Sequence, residues 1–279
     1  MSSKVGGTSS LVGDLYGDVT RYRELLIPVV AEVVKSYPDA GLEKLFIVLP
    51  KKVIALAPMV ICEAFHFDLT GKSVDDKALI ALGMTMLPIS THDDIVDEMP
   101  KERDLVSCLV FAGNIMAIEG TRMLIEMDKK KALDILLQQI NLNHYYQRKN
   151  ISLLWENKAT NFSDYRPGIE HICVFNSIGA LFGCALAERE DVREKALGFA
   201  NGYGVAMQLI DDIREVEEDR EVGYSSFPLL EGAPYKESFR QLFLHLDLAE
   251  KNLDENWLKV REVVARMRTY AQKLQNEHT

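Results

Sequence analysis

Positive charge is in short supply. Against 42 Asp and Glu stand 32 Lys and Arg, a formal net charge of -10 over 279 residues, and no stretch gathers Lys and Arg into the clustered face that a nucleic-acid backbone demands. Nucleic acid is therefore not an expected partner, and phosphate in any ligand has to be met by metal. The 4 cysteines, Cys62, Cys108, Cys173 and Cys184, form no CxxC and no Cys/His ligand spacing. All sit among apolar residues and are expected to be buried, reduced thiols, which points to the cytoplasm. No Pro/Gly/Ser-rich linker and no repeat of fixed period divides the chain, so one domain is expected over residues 11–279, behind a mobile N-terminal tail at residues 1–10. That tail lacks the apolar core of a signal peptide. The most apolar stretch, His171 to Ala187, carries Asn176 and Ser177, which suits a buried core helix better than a transmembrane segment.

Alternating strand patterns are also missing, and what is present is helical periodicity. Apolar residues recur at helical spacing over Leu15 to Ser36, Leu42 to Phe67, Asp75 to Glu98, Leu105 to Met127, Ala132 to Trp155, Ile169 to Ala187, Val192 to Val216 and Pro234 to Glu277. The expectation is an all-α bundle of long helices around a central apolar cavity. Pro88 falls inside the third of these segments and is expected to kink it or open a backbone gap shortly before Asp93.

Two acidic clusters stand out, Asp93-Asp94-Ile95-Val96-Asp97 and Asp211-Asp212-Ile213-Arg214-Glu215. On an acidic chain a single cluster of this kind reads equally well as a solvated helix face. Here each follows an apolar approach, Ile80 to Ile89 and Gly204 to Ile210, which puts the acids at the end of a buried helix. At ~3.6 residues per turn, Asp93 and Asp97 share one face, and Asp211, Glu215 and Asp219 form an i, i+4, i+8 stripe. Facing carboxylates repel when empty. Magnesium, a hard cation held by a few carboxylates together with phosphate oxygens, relieves that repulsion as metal and polyanionic substrate bind together.

Thr91 to Glu98 and Gly204 to Ile213 resemble the two Asp-rich motifs of the trans-isoprenyl diphosphate synthase (polyprenyl synthetase) family, and the likeness covers most of the chain. The resemblance implies the isoprenoid synthase fold, with Asp93, Asp94, Asp97, Asp211, Asp212, Glu215 and Asp219 as metal ligands for magnesium, about three ions when diphosphate is bound. It implies catalytic roles for Asp93, Asp97, Asp211 and Glu215, an allylic isoprenyl diphosphate as substrate, and a homodimer. Pro50-Lys51-Lys52-Val53-Ile54 stands where the family has GGKRxRP. Of the family's isopentenyl diphosphate ligands, Lys51 and Arg103 remain, with Lys52 beside them. The final Arg is Ile54, the His before the first motif is Met86, and the first Arg of the following pair is Glu102. Each lost guanidinium removes charge-assisted hydrogen bonds of ~1.5 to 3 kcal/mol. The family's Lys-Thr pair reads Ile172-Cys173, and the Lys after the second motif is missing too.

Other substrate-binding candidates are Gln208 in the lead-in to the second motif, Arg220 with Tyr224 beyond it, and Arg166, 45 residues before Asp211. Arg166 is similar in placement to the diphosphate-sensing Arg of class I terpene synthases, and reads equally as an Arg that starts a helix beside Pro167-Gly168. Met84, Pro88 and Ile89 are candidate cavity lining. Tyr145, Tyr146, Trp155, Phe175 and Tyr203 are candidate aromatic walls, and His92 and Asn176 candidate polar contacts, although each also reads as ordinary core. Retained ionisation residues beside an eroded acceptor site favour ionisation followed by cyclisation or quenching to a terpene. The alternatives are prenyl transfer, by chain elongation or to an acceptor that is not a diphosphate, and a non-catalytic partner subunit of an active synthase.

Overall fold

The structure is a computed structural model that describes residues 19–37, 56–98, 103–156, 159–230 and 234–278, without the side chains of 90–98, 103–109 and 234. Among the described residues the long elements are all helices. They run α1 (Thr20–Ser36), α2 (Ala57–Thr70), α3 (Asp76–Glu98), α4 (Arg103–Glu126), α5 (Lys130–Asn150), α6 (Glu170–Leu186), α7 (Arg193–Val222), α8 (Pro234–Lys251) and α9 (Leu258–Glu277). The all-α expectation holds. Short pieces join α5 to α6: a π-helical turn at Ile151–Trp155, an α turn at Phe162–Tyr165 and a 3-10 turn at Arg166–Ile169.

α6 is the hub, buried on every side from Cys173 to Ala185 and packed against α2, α5 and α7. Glycine lets the backbones meet. A Cβ on Gly179 would stand 2.4 Å from the Pro58 carbonyl oxygen, and one on Gly183 would stand 2.5 Å from that of Cys62. On α7, a Cβ on Gly204 would fall 2.7 Å from Cys173 Cα. The stretch Phe162–Leu186 is long and apolar enough to cross a membrane, yet 83% of its most apolar window is buried inside the protein. That is the core helix the sequence pattern called for. Cys62, Cys173 and Cys184 are free and buried; the Cys108 side chain and residues 1–18 lie outside the described residues.

One expectation needs correction. The segment Pro234 to Glu277 is not one helix: a turn through Asn252–Trp257 separates α8 from α9, with Trp257 N–H donating to the Asp254 carbonyl (3.1 Å). Neither Gly nor Pro marks this break. It is set by tertiary contacts, since Trp257 is buried edge-on against Phe65 at 5.6 Å and the Asp68 carboxylate of α2 accepts from the Lys259 and Val260 amides at 3.0 and 2.9 Å. Asp68 thus caps α9 from a distant element. α3 runs on through Pro88 to Glu98. Pro88 has no N–H for the Met84 carbonyl, but the helix is held against α4, where a Cβ on Gly120 would lie 2.7 Å from the Ala81 carbonyl oxygen.

Because the Gly179 contact is with backbone that cannot rotate away, Gly179→Ala is expected to destabilise the fold by about 1–3 kcal/mol despite the helix propensity of Ala. Urea unfolding followed by far-UV circular dichroism measures it, and an unchanged midpoint contradicts this packing.

Candidate active site

The second acidic cluster sits where α7 outruns α6. Those helices are antiparallel, with Gly204 against Cys173 and Asp212 bonded to Tyr165, so the roughly three turns from Asp211 onward extend past the α6 N-terminus. Asp211 is 46% exposed and lies 3.9 Å from Arg214 Nη1. Glu215 and Asp219 are half-buried on the same face. Asp211 and Asp219 are ~12 Å apart along the axis, too far for the stripe to close around one ion by itself. Accordingly, no group of three or more His, Cys, Asp or Glu among the described residues is close enough to hold a metal. Asp93, Asp94 and Asp97 lie on the last turns of α3, and their side chains are outside the described residues. Lys51 and Lys52 lie outside them altogether; Arg103 opens α4, again without a described side chain.

Asp212 behaves differently from its neighbours. It is 2% exposed and turned inward. Its Oδ2 accepts from Tyr165 Oη at 2.6 Å and from the Phe227 amide at 2.9 Å, while Oδ1 accepts from Gln208 Nε2 at 2.9 Å. Burial pushes its carboxyl up to about 6, against the pull of these donors. Gln208, expected to touch substrate, is thus engaged with a carboxylate one turn further along its own helix. Asp219 is raised further, to about 8, first by burial, then by the charge of Asp212, with Glu215 and Asp211 adding to it against the lowering effect of the nearby Ser226 hydroxyl. Asp211, Glu215 and Asp219 are hard oxygen donors of the kind a divalent cation takes, and any ion held there would need further ligands from outside α7.

The remaining candidates are distributed as follows. Arg166 is not aimed at the stripe: its guanidinium binds Glu170 and the Asn201 side chain, ~15 Å back along α7 from Asp211. Arg220 is solvent-exposed and paired with Glu217. Met84, Pro88 and Ile89 are buried, but Met84 Cβ faces Gly120 in the α3/α4 seam. Tyr145 is 57% exposed, edge-on to Tyr146 with Lys149 Nζ 5.3 Å from each ring; it lies on the surface. Tyr203 stacks on Phe199 in the core, and Phe175 is buried on α6. Asn176 donates to the Ile172 carbonyl at 2.8 Å. Trp155 and Tyr224 do approach the cluster, packing edge to face at 5.1 Å, with Asn150 Nδ2 donating to the Tyr224 hydroxyl at 3.0 Å. The π-helical turn carries Trp155 there. Tyr165, Ser226 and the Phe227 amide were not anticipated. No local signal marks a Tyr 47 residues from its carboxylate.

The sign of the pH response follows from the raised carboxyls. The native state of the metal-free protein keeps protons on Asp219 and Asp212 that the unfolded chain has lost above about pH 4, so their contribution is full below the unfolded value of 3.8 and disappears as pH rises through about 6 and about 8. Metal-free stability is expected to fall from pH 5 to pH 8.5 on this account, and Asp219→Asn is expected to flatten the slope. Thermal melts across pH in the presence of chelator check this; a slope unchanged by the substitution contradicts it.

No protein-family model matches the chain, and no curated protein matches it in sequence. Solved structures do match. A geranyltranstransferase from Methanosarcina mazei superposes with a TM-score of 0.62 at 20% identity, covering 87% of this chain and 94% of that one. A decaprenyl diphosphate synthase from Rhodobacter capsulatus gives 0.60 at 14% identity, covering 96% and 91%. A polyprenyl synthase from Caulobacter crescentus CB15, complexed with calcium and isoprenyl diphosphate, gives 0.57 at 18% identity, covering 95% and 98%. This chain has the all-α fold of the trans-isoprenyl diphosphate synthase (polyprenyl synthetase) superfamily.

Proposed function

We propose that the chain is a magnesium-dependent prenyltransferase that ionises an allylic isoprenyl diphosphate and passes the prenyl group to an acceptor. The observation that carries this reading is the Asp211/Glu215/Asp219 stripe, half-exposed at the open end of α7, in a fold whose solved neighbours are named as prenyl synthases. Those names support transfer over the cyclisation that the departures at Ile54, Met86 and Glu102 favour when the sequence is taken alone. Asp211, Glu215 and Asp219, together with Asp93 and Asp97 of the first motif, would hold the metal. Magnesium, when bound, supplies Lewis-acid stabilisation of the leaving diphosphate. The carbon to oxygen bond breaks with its electron pair going to the diphosphate, the acceptor attacks the allylic cation, and proton loss completes transfer. The apolar helices keep water from the cation. One observation keeps the second reading open: Met86, in place of the family's His, is wholly buried and offers a diphosphate no hydrogen bond.

A second copy of the chain is part of the proposal. Phe111, Ile118 and Ile125 recur every seven residues on α4 and are 63%, 65% and 61% exposed. In an antiparallel pairing about Ile118, Phe111 meets Ile125 of the other copy, as a two-fold interface requires.

Incubation of the purified chain with magnesium and allylic diphosphates of graded length, with and without isopentenyl diphosphate, should yield a prenylated product only when an acceptor is present. A hydrocarbon or alcohol formed without an acceptor would establish terpene synthesis instead. Absence of diphosphate release across the series would leave the partner-subunit reading. Asp211→Asn should slow release on the order of 100-fold. Ile118→Glu should shift the sedimenting species from dimer to monomer; a wild-type monomer contradicts the pairing.

A further inference from the structure

We infer that Asp212 is not a metal ligand but the anchor of the metal site, and that Tyr165 is the positioning residue that holds it. The inference rests on the reading of the α7 stripe as a metal and diphosphate site. Both oxygens of Asp212 are already engaged, by Tyr165 Oη, Gln208 Nε2 and the Phe227 amide, and the group is 2% exposed. Reaching an ion beside Asp211 would require it to break these bonds and leave the core.

What the bonds accomplish is mechanical. After α7 the chain reverses at Gly223, which sits at φ 78°, and the Tyr224 amide donates back to the Asp219 carbonyl at 2.9 Å. The Ser225 amide donates to the Leu154 carbonyl in the π-helical turn at 3.1 Å, and Ser226 follows it, wholly buried. The Phe227 amide then closes the loop onto Asp212. Tyr165 approaches the same oxygen from the turn before α6, wholly buried, its ring 5.5 Å from that of Phe227. Tyr165 therefore joins three elements at one carboxylate: the turn entering α6, the shaft of α7, and the loop whose Tyr224 amide is bonded back to the Asp219 carbonyl. Together they fix the rotation of α7 and the place of the last stripe carboxylate. Without the phenolic hydroxyl, Asp212 Oδ2 keeps only the loop amide, and the Asp219 end of the stripe loses its support.

The test is binding of inorganic pyrophosphate with magnesium to the full chain, followed by titration calorimetry and by the accompanying rise in melting temperature. Tyr165→Phe should weaken binding on the order of 10-fold and raise the half-saturating magnesium concentration, as loss of a supporting residue does. Adding it to Asp212→Asn should cause no further loss, because both changes act on one contact. Gln208→Met, which removes the other side-chain donor, gives an independent arm should Tyr165→Phe fold poorly, and should weaken binding in the same direction. A Tyr165→Phe protein that melts earlier but binds as the wild type does would reduce the contact to a structural one and overturn the inference, as would additive losses in the double variant. If the wild type itself shows no magnesium-dependent pyrophosphate binding, the functional reading falls and this inference with it.

Discussion

A single carboxylate that solvent cannot reach organises the acidic end of this molecule. Burying an ionised group without partners costs several kcal/mol, and Asp212 is tolerated only because Tyr165, Gln208 and the Phe227 amide all donate to it. Charge-assisted bonds of this kind are individually among the stronger ones available to a protein. They also carry direction, since each comes from a different element. The side chain that looks in sequence like one more ligand in a run of acids is the point through which α7, its following loop and the entry to α6 are held in register. The surrounding negative charge is then concentrated on a face whose geometry is already set.

That face depends in turn on how closely the helices approach. The α6 hub has glycine where it crosses α2, and α7 has glycine where it crosses α6. Contacts of this closeness leave helices little freedom to slide, because interiors are close-packed and respond to a single methyl group. The rigid crossing puts Tyr165 within reach of Asp212 and lets α7 project beyond it. Precision at the site therefore originates in backbone contact some turns away.

The helical class and most helix positions were legible in the apolar periodicity, and the second acidic cluster was legible in its i, i+4, i+8 spacing. These are local properties, encoded within one or two turns. The break at Asn252–Trp257 was not legible, because Asp68 and Phe65, which stabilise it, are nearly two hundred residues away in the chain. The inward turn of Asp212 was hidden for the same reason: adjacent aspartates differ by ~100° around a helix, and only the neighbours at that angle decide which of them sees solvent. Arg166 was singled out by spacing alone, which says nothing of its neighbours. A spacing that suggested a diphosphate contact belongs to a guanidinium already occupied by Glu170 and Asn201.

The proton affinity of Asp219 connects this architecture to ligand binding. Its carboxyl is raised to about 8 by burial and by the charges of Asp212, Glu215 and Asp211 together, so the metal-free site stores repulsion that folding elsewhere has to offset. On the proposed function, a divalent cation arriving with a diphosphate would remove that repulsion and displace the proton, and by binding the native state alone would make the loaded protein the more stable one by mass action. A diphosphate arriving without metal meets the stripe as one more negative charge and is repelled. An unneutralised row of carboxylates held stiffly by Asp212 would thus select against diphosphate that comes without metal, and the stiffness would prevent the row from relaxing the repulsion by spreading apart.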